Sequence, residues 1–136
     1  MLDKKLLFRE HINYALEKGG KCFKVLYSIL CRGSKLNTTS KLLLYKTVLR
    51  PIILYGSPVW DKSANMHLNQ LQLFQNRLLR ICLQLPFRHP TADTHEEARI
   101  EYVREFTNRI NCKFKDACRF NGNRLISQLA NEFVAR

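Results

Sequence analysis

The chain has 136 residues, enough for one domain with a hydrophobic core. Its content of 46% apolar and 25% charged residues is that of a globular protein and argues against disorder. Lys and Arg outnumber Asp and Glu by 23 to 11, and the excess sits at the front: residues 1–50 carry 11 basic and 3 acidic side chains, residues 91–136 carry 8 and 7. A basic front suits a polyanion, most often nucleic acid, and the plainer alternative is a solvated basic surface. The stretch from Met1 to Lys5 lacks the apolar core of a secretory signal. No run approaches the ~18 apolar residues of a membrane span, so no membrane role is expected. The expected location is intracellular, nucleus or cytoplasm, with Cys22, Cys31, Cys82, Cys112 and Cys118 as free thiols.

From Leu6 to Leu30 the apolar positions Phe8, Ile12, Ala15, Cys22, Leu26 and Ile29, with Gly19 in the missing step, describe one helical stripe. Gly19-Gly20 marks either a break between two shorter helices or a close backbone approach. Thr38-Thr39-Ser40 offers N-caps for a second helix whose stripe is Leu44, Val48, Ile52 and Tyr55, with Leu49 and Ile53 widening it. Pro51 removes a backbone donor and predicts a kink there. Gly56-Ser57-Pro58 turns the chain, and Tyr55 and Trp60 are expected in the core. A third helix is predicted over 64–85, ended by Pro86 to Pro90. Thr94-His95-Glu96-Glu97 has the pattern of a capping box, after which Ile100, Val103, Phe106, Ile110 and Phe114 continue at helical spacing. Asn121-Gly122-Asn123 turns into a last short helix carrying Leu125, Ile126, Leu129 and Phe133. The expected fold is all-α, a bundle of about four to five helices. Residues 1–88 form its main part, and 89–136 form a C-terminal helical segment packed on it.

The string Leu44-Tyr45-Lys46 … Arg50-Pro51 … Leu54-Tyr55-Gly56 … Trp60 resembles the "LYK…RP…LYG…W" signature of jockey-like non-LTR retrotransposon reverse transcriptases. Three further stretches resemble the family in the same order: Leu2 to Ile12, Leu71 to Arg77 and Thr91 to Glu97. The resemblance spans almost the whole chain. It implies the region after the catalytic palm, a helical thumb and the segment beyond it, with a short extended remnant of the palm edge at the N-terminus. In that family the thumb closes over the primer–template and grips its backbone. Ser57 stands where relatives often carry cysteine, and Gly19-Gly20 is a further departure. The palm of such polymerases holds Mg²⁺ on an adjacent Asp-Asp pair, and this chain has none. The resemblance therefore implies a fragment, a decayed copy or a repurposed remnant without polymerase activity or a cofactor of its own.

Among candidate sites, Glu97, Glu101 and Glu105 recur on one helix face but read more simply as a solvated acidic face. His95-Glu96-Glu97-Ala98-Arg99 misses the H-E-x-x-H zinc helix, because Arg99 replaces the second ligand. The cysteines form no C-x-x-C pair, so neither a catalytic nor a metal site is expected. Three basic pairs at helical spacing, Lys21 with Lys24, Lys46 with Arg50, and Arg77 with Arg80, are the candidate phosphate contacts. The plain alternative for each is an exposed helix charge. The partners so implied are an RNA/DNA primer–template, with the missing polymerase portion or a second copy as further options.

Overall fold

The chain enters its first helix through Phe8, whose positive φ of 52° sets the direction of α1, Arg9–Leu30. This is a computed structural model, and it describes residues 8–60 and 65–134. The extended N-terminal remnant expected before Phe8 lies outside the described residues. Helix α1 runs unbroken through both glycines. Gly19 is the close-approach case: a Cβ there would stand 2.5 Å from Ile53 Cγ2 and 3.3 Å from the Phe74 ring, whereas one on Gly20 would meet nothing within 4 Å.

Asn37 begins the next helical run by accepting from the Ser40 N–H at 2.8 Å. The run comprises α2 (Thr38–Leu44), a π-helical turn (Tyr45–Leu49) and α3 (Arg50–Ile53). The proline neither ends the helix nor acts alone. The turn before it widens, so that the Arg50 N–H bonds to the Tyr45 carbonyl five residues back. The widening also corrects the expected stripe. The buried positions are Lys41, Tyr45, Leu49 and Ile53: Leu49 and Ile53 lie on the widened edge of the expected stripe, and its centre at Leu44, Val48 and Ile52 is one residue away. Steps of four residues drift by about 40° each on an ideal α-helix, and a wider turn absorbs that drift.

The chain then turns at Gly56 (φ 71°) into the short α4, Ser57–Trp60. Trp60 is in the core and donates its indole N–H to the Tyr55 carbonyl at 2.9 Å. Tyr55 is not: its side chain is 74% exposed, because the turn that buries Trp60 points its neighbour outward. Helix α5 covers Asn65–Cys82, shorter than predicted at its C-terminal end. The remainder also differs from one continuous helix. Helix α6, Thr91–Ala98, starts after Pro90 and stops at Arg99 (φ 51°). Helix α7, Val103–Arg119, restarts after Tyr102. Thr94 lies inside α6 and bonds back to the Pro90 carbonyl, so the expected capping box does not form there. Helix α8, Arg124–Val134, packs on α7.

The described residues hold no strand, and the fold is an all-α bundle. Two buried clusters make its core. One joins Leu30, Tyr45, Leu49, Leu78, Leu79, Cys82 and Ile100. The other joins Ile12, Ile53, Leu54, Trp60, Leu71 and Val103. Phe74 packs against both, and Gly19 lies against its ring. No described helix is long and apolar enough to cross a membrane.

Candidate nucleic-acid interface

The six basic positions read from the sequence fall into two structural groups. Arg50 and Arg80 turn inward. The Arg50 guanidinium lies over the Phe106 ring, 3.7 Å from its centroid, a cation–π contact that joins α3 to α7. Burial lowers its pKa, partly countered by Tyr45 and Glu101. Arg80 donates to the His89 carbonyl at 2.8 and 3.0 Å and to Thr91 Oγ1 at 2.9 Å, holding the link between α5 and α6.

Lys21, Lys24, Lys46 and Arg77 turn outward and are exposed. Lys21 reaches Glu17 one turn back at 2.6 Å, with both side chains more than 60% exposed. Each partner shifts the other toward its charged form, first by the hydrogen bond and then by charge, and such a surface pair contributes little. Lys46 borders a groove of about 420 Å³ between α2 and the end of α6, shared with Leu42, Leu43, Glu97 and Arg99. The structure thus brings Lys46 together with Arg99, a cation the sequence reading used only to dismiss a zinc motif. It does not join Lys46 to Arg50 or Arg77 to Arg80 as paired outward clamps.

Beneath this surface lies a polar network that the sequence reading missed. Gln75, fully buried, donates to the Tyr45 hydroxyl at 3.0 Å and to the Glu101 carbonyl at 3.1 Å. Burial pushes the Tyr45 phenol up to about 12. Gln72 donates to Gln75 Oε1 at 2.9 Å and to Asn76 Oδ1 at 2.7 Å. Its own carbonyl accepts from the Val103 N–H at 2.7 Å, satisfying an open donor at the start of α7. His95 stacks on Tyr102 with ring centroids 4.1 Å apart. Its Nδ1 donates to the Ile100 carbonyl at 2.8 Å, and its Nε2 lies 2.8 Å from Asn76 Oδ1 and 3.2 Å from Gln72 Nε2. Burial lowers the His95 pKa, with the bond to Ile100 opposing the shift.

This network joins three of the strings that carry the family resemblance: Tyr45 from the first, Gln72, Gln75 and Asn76 from the second, and His95 from the third. Those strings therefore hold the bundle together. The signal was present in the sequence as Gln72, Gln75 and Asn76 at spacings of three and four beside an apolar stripe.

Two of the three glutamates of the expected acidic face are engaged elsewhere. Glu101 accepts a two-pronged bond from Arg109 at 3.0–3.2 Å, and Glu105 accepts from the Tyr102 N–H at 3.4 Å. Among the described residues no group of three or more His, Cys, Asp or Glu converges on a point.

No family model matches the chain, and no solved structure matches it. Curated relatives do. The chain is 26% identical over 129 residues to a probable RNA-directed DNA polymerase from transposon X-element of Drosophila melanogaster, covering 95% of this chain and 14% of that protein. It is 27% identical over 118 residues to the probable enzyme from transposon BS of the same fly, covering 87% and 13%. It is 25% identical over 133 residues to the RNA-directed DNA polymerase from mobile element jockey, covering 98% and 14%. The chain is thus similar to a stretch of mobile-element RNA-directed DNA polymerases. Within that class its likeness is to the jockey-like reverse transcriptases, of which it corresponds to a segment. It spans 13–14% of the length of these relatives.

Proposed function

We propose that this chain is a non-catalytic, thumb-like segment of a retrotransposon reverse transcriptase that holds primer–template nucleic acid through its backbone phosphates. The observation that carries this reading is the outward group of cations. Lys24, Lys46 and Arg77 are exposed, and none makes an ion pair with a described residue. They are open to phosphate oxygens, and Lys21 joins them by exchanging its weak pair with Glu17 for a phosphate. Arg50 and Arg80 support the grip from within by fixing α3 against α7 and α5 against α6. Polymerase chemistry is not proposed for this chain alone, because it holds no adjacent Asp-Asp pair.

The test is fluorescence-anisotropy binding of the purified chain to an RNA–DNA primer–template at low and near-physiological salt. Affinity should fall steeply with salt. A Lys24→Gln, Lys46→Gln, Arg77→Gln variant should show a shallower dependence, by roughly 0.9 in log–log slope for each phosphate no longer neutralised, the value for duplex DNA. Binding that ignores salt, or no binding by folded protein, overturns the reading.

A second reading rests on the α7–α8 end of the bundle, where Phe114, Phe120 and Leu125 are 54%, 88% and 68% exposed. Exposed apolar groups of this size suit a protein partner, whether the rest of the polymerase or a second copy. Light scattering that finds a monomer at all concentrations counts against self-association.

A further inference from the structure

A second feature lies between α1 and α3. A groove of about 250 Å³ runs there, lined by His11, Tyr14, Lys18, Pro51, Ile52 and Tyr55. Two of these side chains are large aromatics left in solvent, Tyr14 at 62% and Tyr55 at 74% exposure. Tyr55 is held from behind. Its carbonyl accepts from the Trp60 indole at 2.9 Å and lies 3.2 Å from His11 Nε2. The main chain is fixed while the ring stands free, so a flat ligand meeting the ring gives up little chain freedom. Among the described residues Lys18 is the one Lys, Arg, Asp or Glu lining the groove, and Lys21 and Lys24 follow on the same helix.

We propose that this groove is a stacking site for an unpaired nucleobase, with the Tyr14 and Tyr55 rings meeting the base and Lys18 the adjoining phosphate. Aromatic rings beside cations suit a single strand, because every base has a stacking face and every linkage a charge. Among the described residues the groove is lined by Lys18 and by no carboxylate, which suits a polyanion better than a peptide of mixed charge. The inference rests on the nucleic-acid reading above and adds to it a strand-type preference and a distinct set of residues.

The experiment compares binding of a short labelled oligothymidylate and of a blunt duplex to the full chain and to Tyr14→Ala, Tyr55→Ala, Tyr55→Phe and Lys18→Gln variants. Circular dichroism confirms that each is folded. Each alanine variant should bind the single strand about tenfold more weakly with an unchanged salt slope, and Tyr55→Phe should bind as the parent does. Lys18→Gln should lower the single-strand slope by about 0.7. Duplex binding should be unaffected by the tyrosine changes. Single-strand binding that survives both alanine variants overturns the groove and leaves the phosphate grip standing. Failure to bind either nucleic acid overturns both. A dimer that Tyr55→Ala dissolves assigns the groove to a second copy and also overturns the inference.

Discussion

The Arg50 guanidinium on α3 lies over the Phe106 ring on α7, and its Nε is buried with no hydrogen-bond partner among the described residues. The contact ties the proline-bearing helix to the C-terminal part of the bundle through an apolar face. Phe106→Ala should cost about 2 kcal/mol for this half-buried ring, read by urea denaturation. Arg50→Met keeps the stem and removes a charge that is poorly paired, so it should leave the unfolding midpoint unchanged or raised. Arg50→Met should also leave the salt slope of nucleic-acid binding unchanged, whereas Lys46→Gln lowers it. Equal effects of the two on that slope would place Arg50 at the interface after all.

The two adjacent glycines of α1 should respond in opposite directions. Gly19→Ala drives a methyl into Ile53 and should destabilise by about 1–3 kcal/mol. Gly20→Ala meets open space and should stabilise by roughly 0.5–1 kcal/mol through helix propensity. Thermal melts of the two variants beside the parent decide the point.

His95 gives the fold a pH dependence with a definite sign. Its folded-state pKa lies below the ordinary 6.5, because burial disfavours the charged ring. The unfolded state therefore takes up the proton first, and stability rises with pH across that interval. The contribution is fully present above about 6.5 and is lost as pH falls through the lower, folded value. Urea midpoints measured from neutral pH down through the acid side of 6.5 should fall in the parent. A His95→Gln variant should be less stable at neutral pH and flatter across the same range.

The thiols should separate by burial. Cys82 is fully buried and its pKa is raised to about 11, chiefly by desolvation. Cys112 is exposed. A thiol reagent at mildly alkaline pH should modify Cys112 in the native chain and reach Cys82 only at the rate of unfolding. Native-state labelling of Cys82 as fast as Cys112 would contradict the packing around α5.

The helical character and Trp60 in the core were legible from residue spacing, because each follows from periodicity or from side-chain size, whereas the spacing left Gly19-Gly20 open between a break and a close approach. The break at Arg99 was not legible, since an arginine at positive φ carries no local signal and is imposed by packing on either side. Nor was the centring of the stripe on Lys41 and Tyr45, although Leu49 and Ile53 stood on its expected edge. A lysine at a fully buried position runs against every hydropathy rule. It is accommodated because its Nζ donates to the Cys31 carbonyl at 2.8 Å while its stem packs inside. The outward aim of Tyr55 depends on a turn whose direction only the tertiary fold sets. Among the candidate cations, sequence spacing could identify helix faces. It could not show that Arg50 would find an aromatic ring and Arg80 a carbonyl.

The widened turn at Tyr45–Leu49 amounts to one surplus residue threaded into a helix. It sets the angular phase between α2 and everything that follows. Closing these same residues into regular α geometry, with none removed, would rotate the downstream half by about 100°, the turn of one residue. Ile53 would swing away from Gly19, and Tyr55 would leave the edge of its groove. Helix content would hardly change. The chain would keep its secondary structure and lose its alignment, so the length of this five-residue turn acts as a gauge block for the whole basic half of the protein.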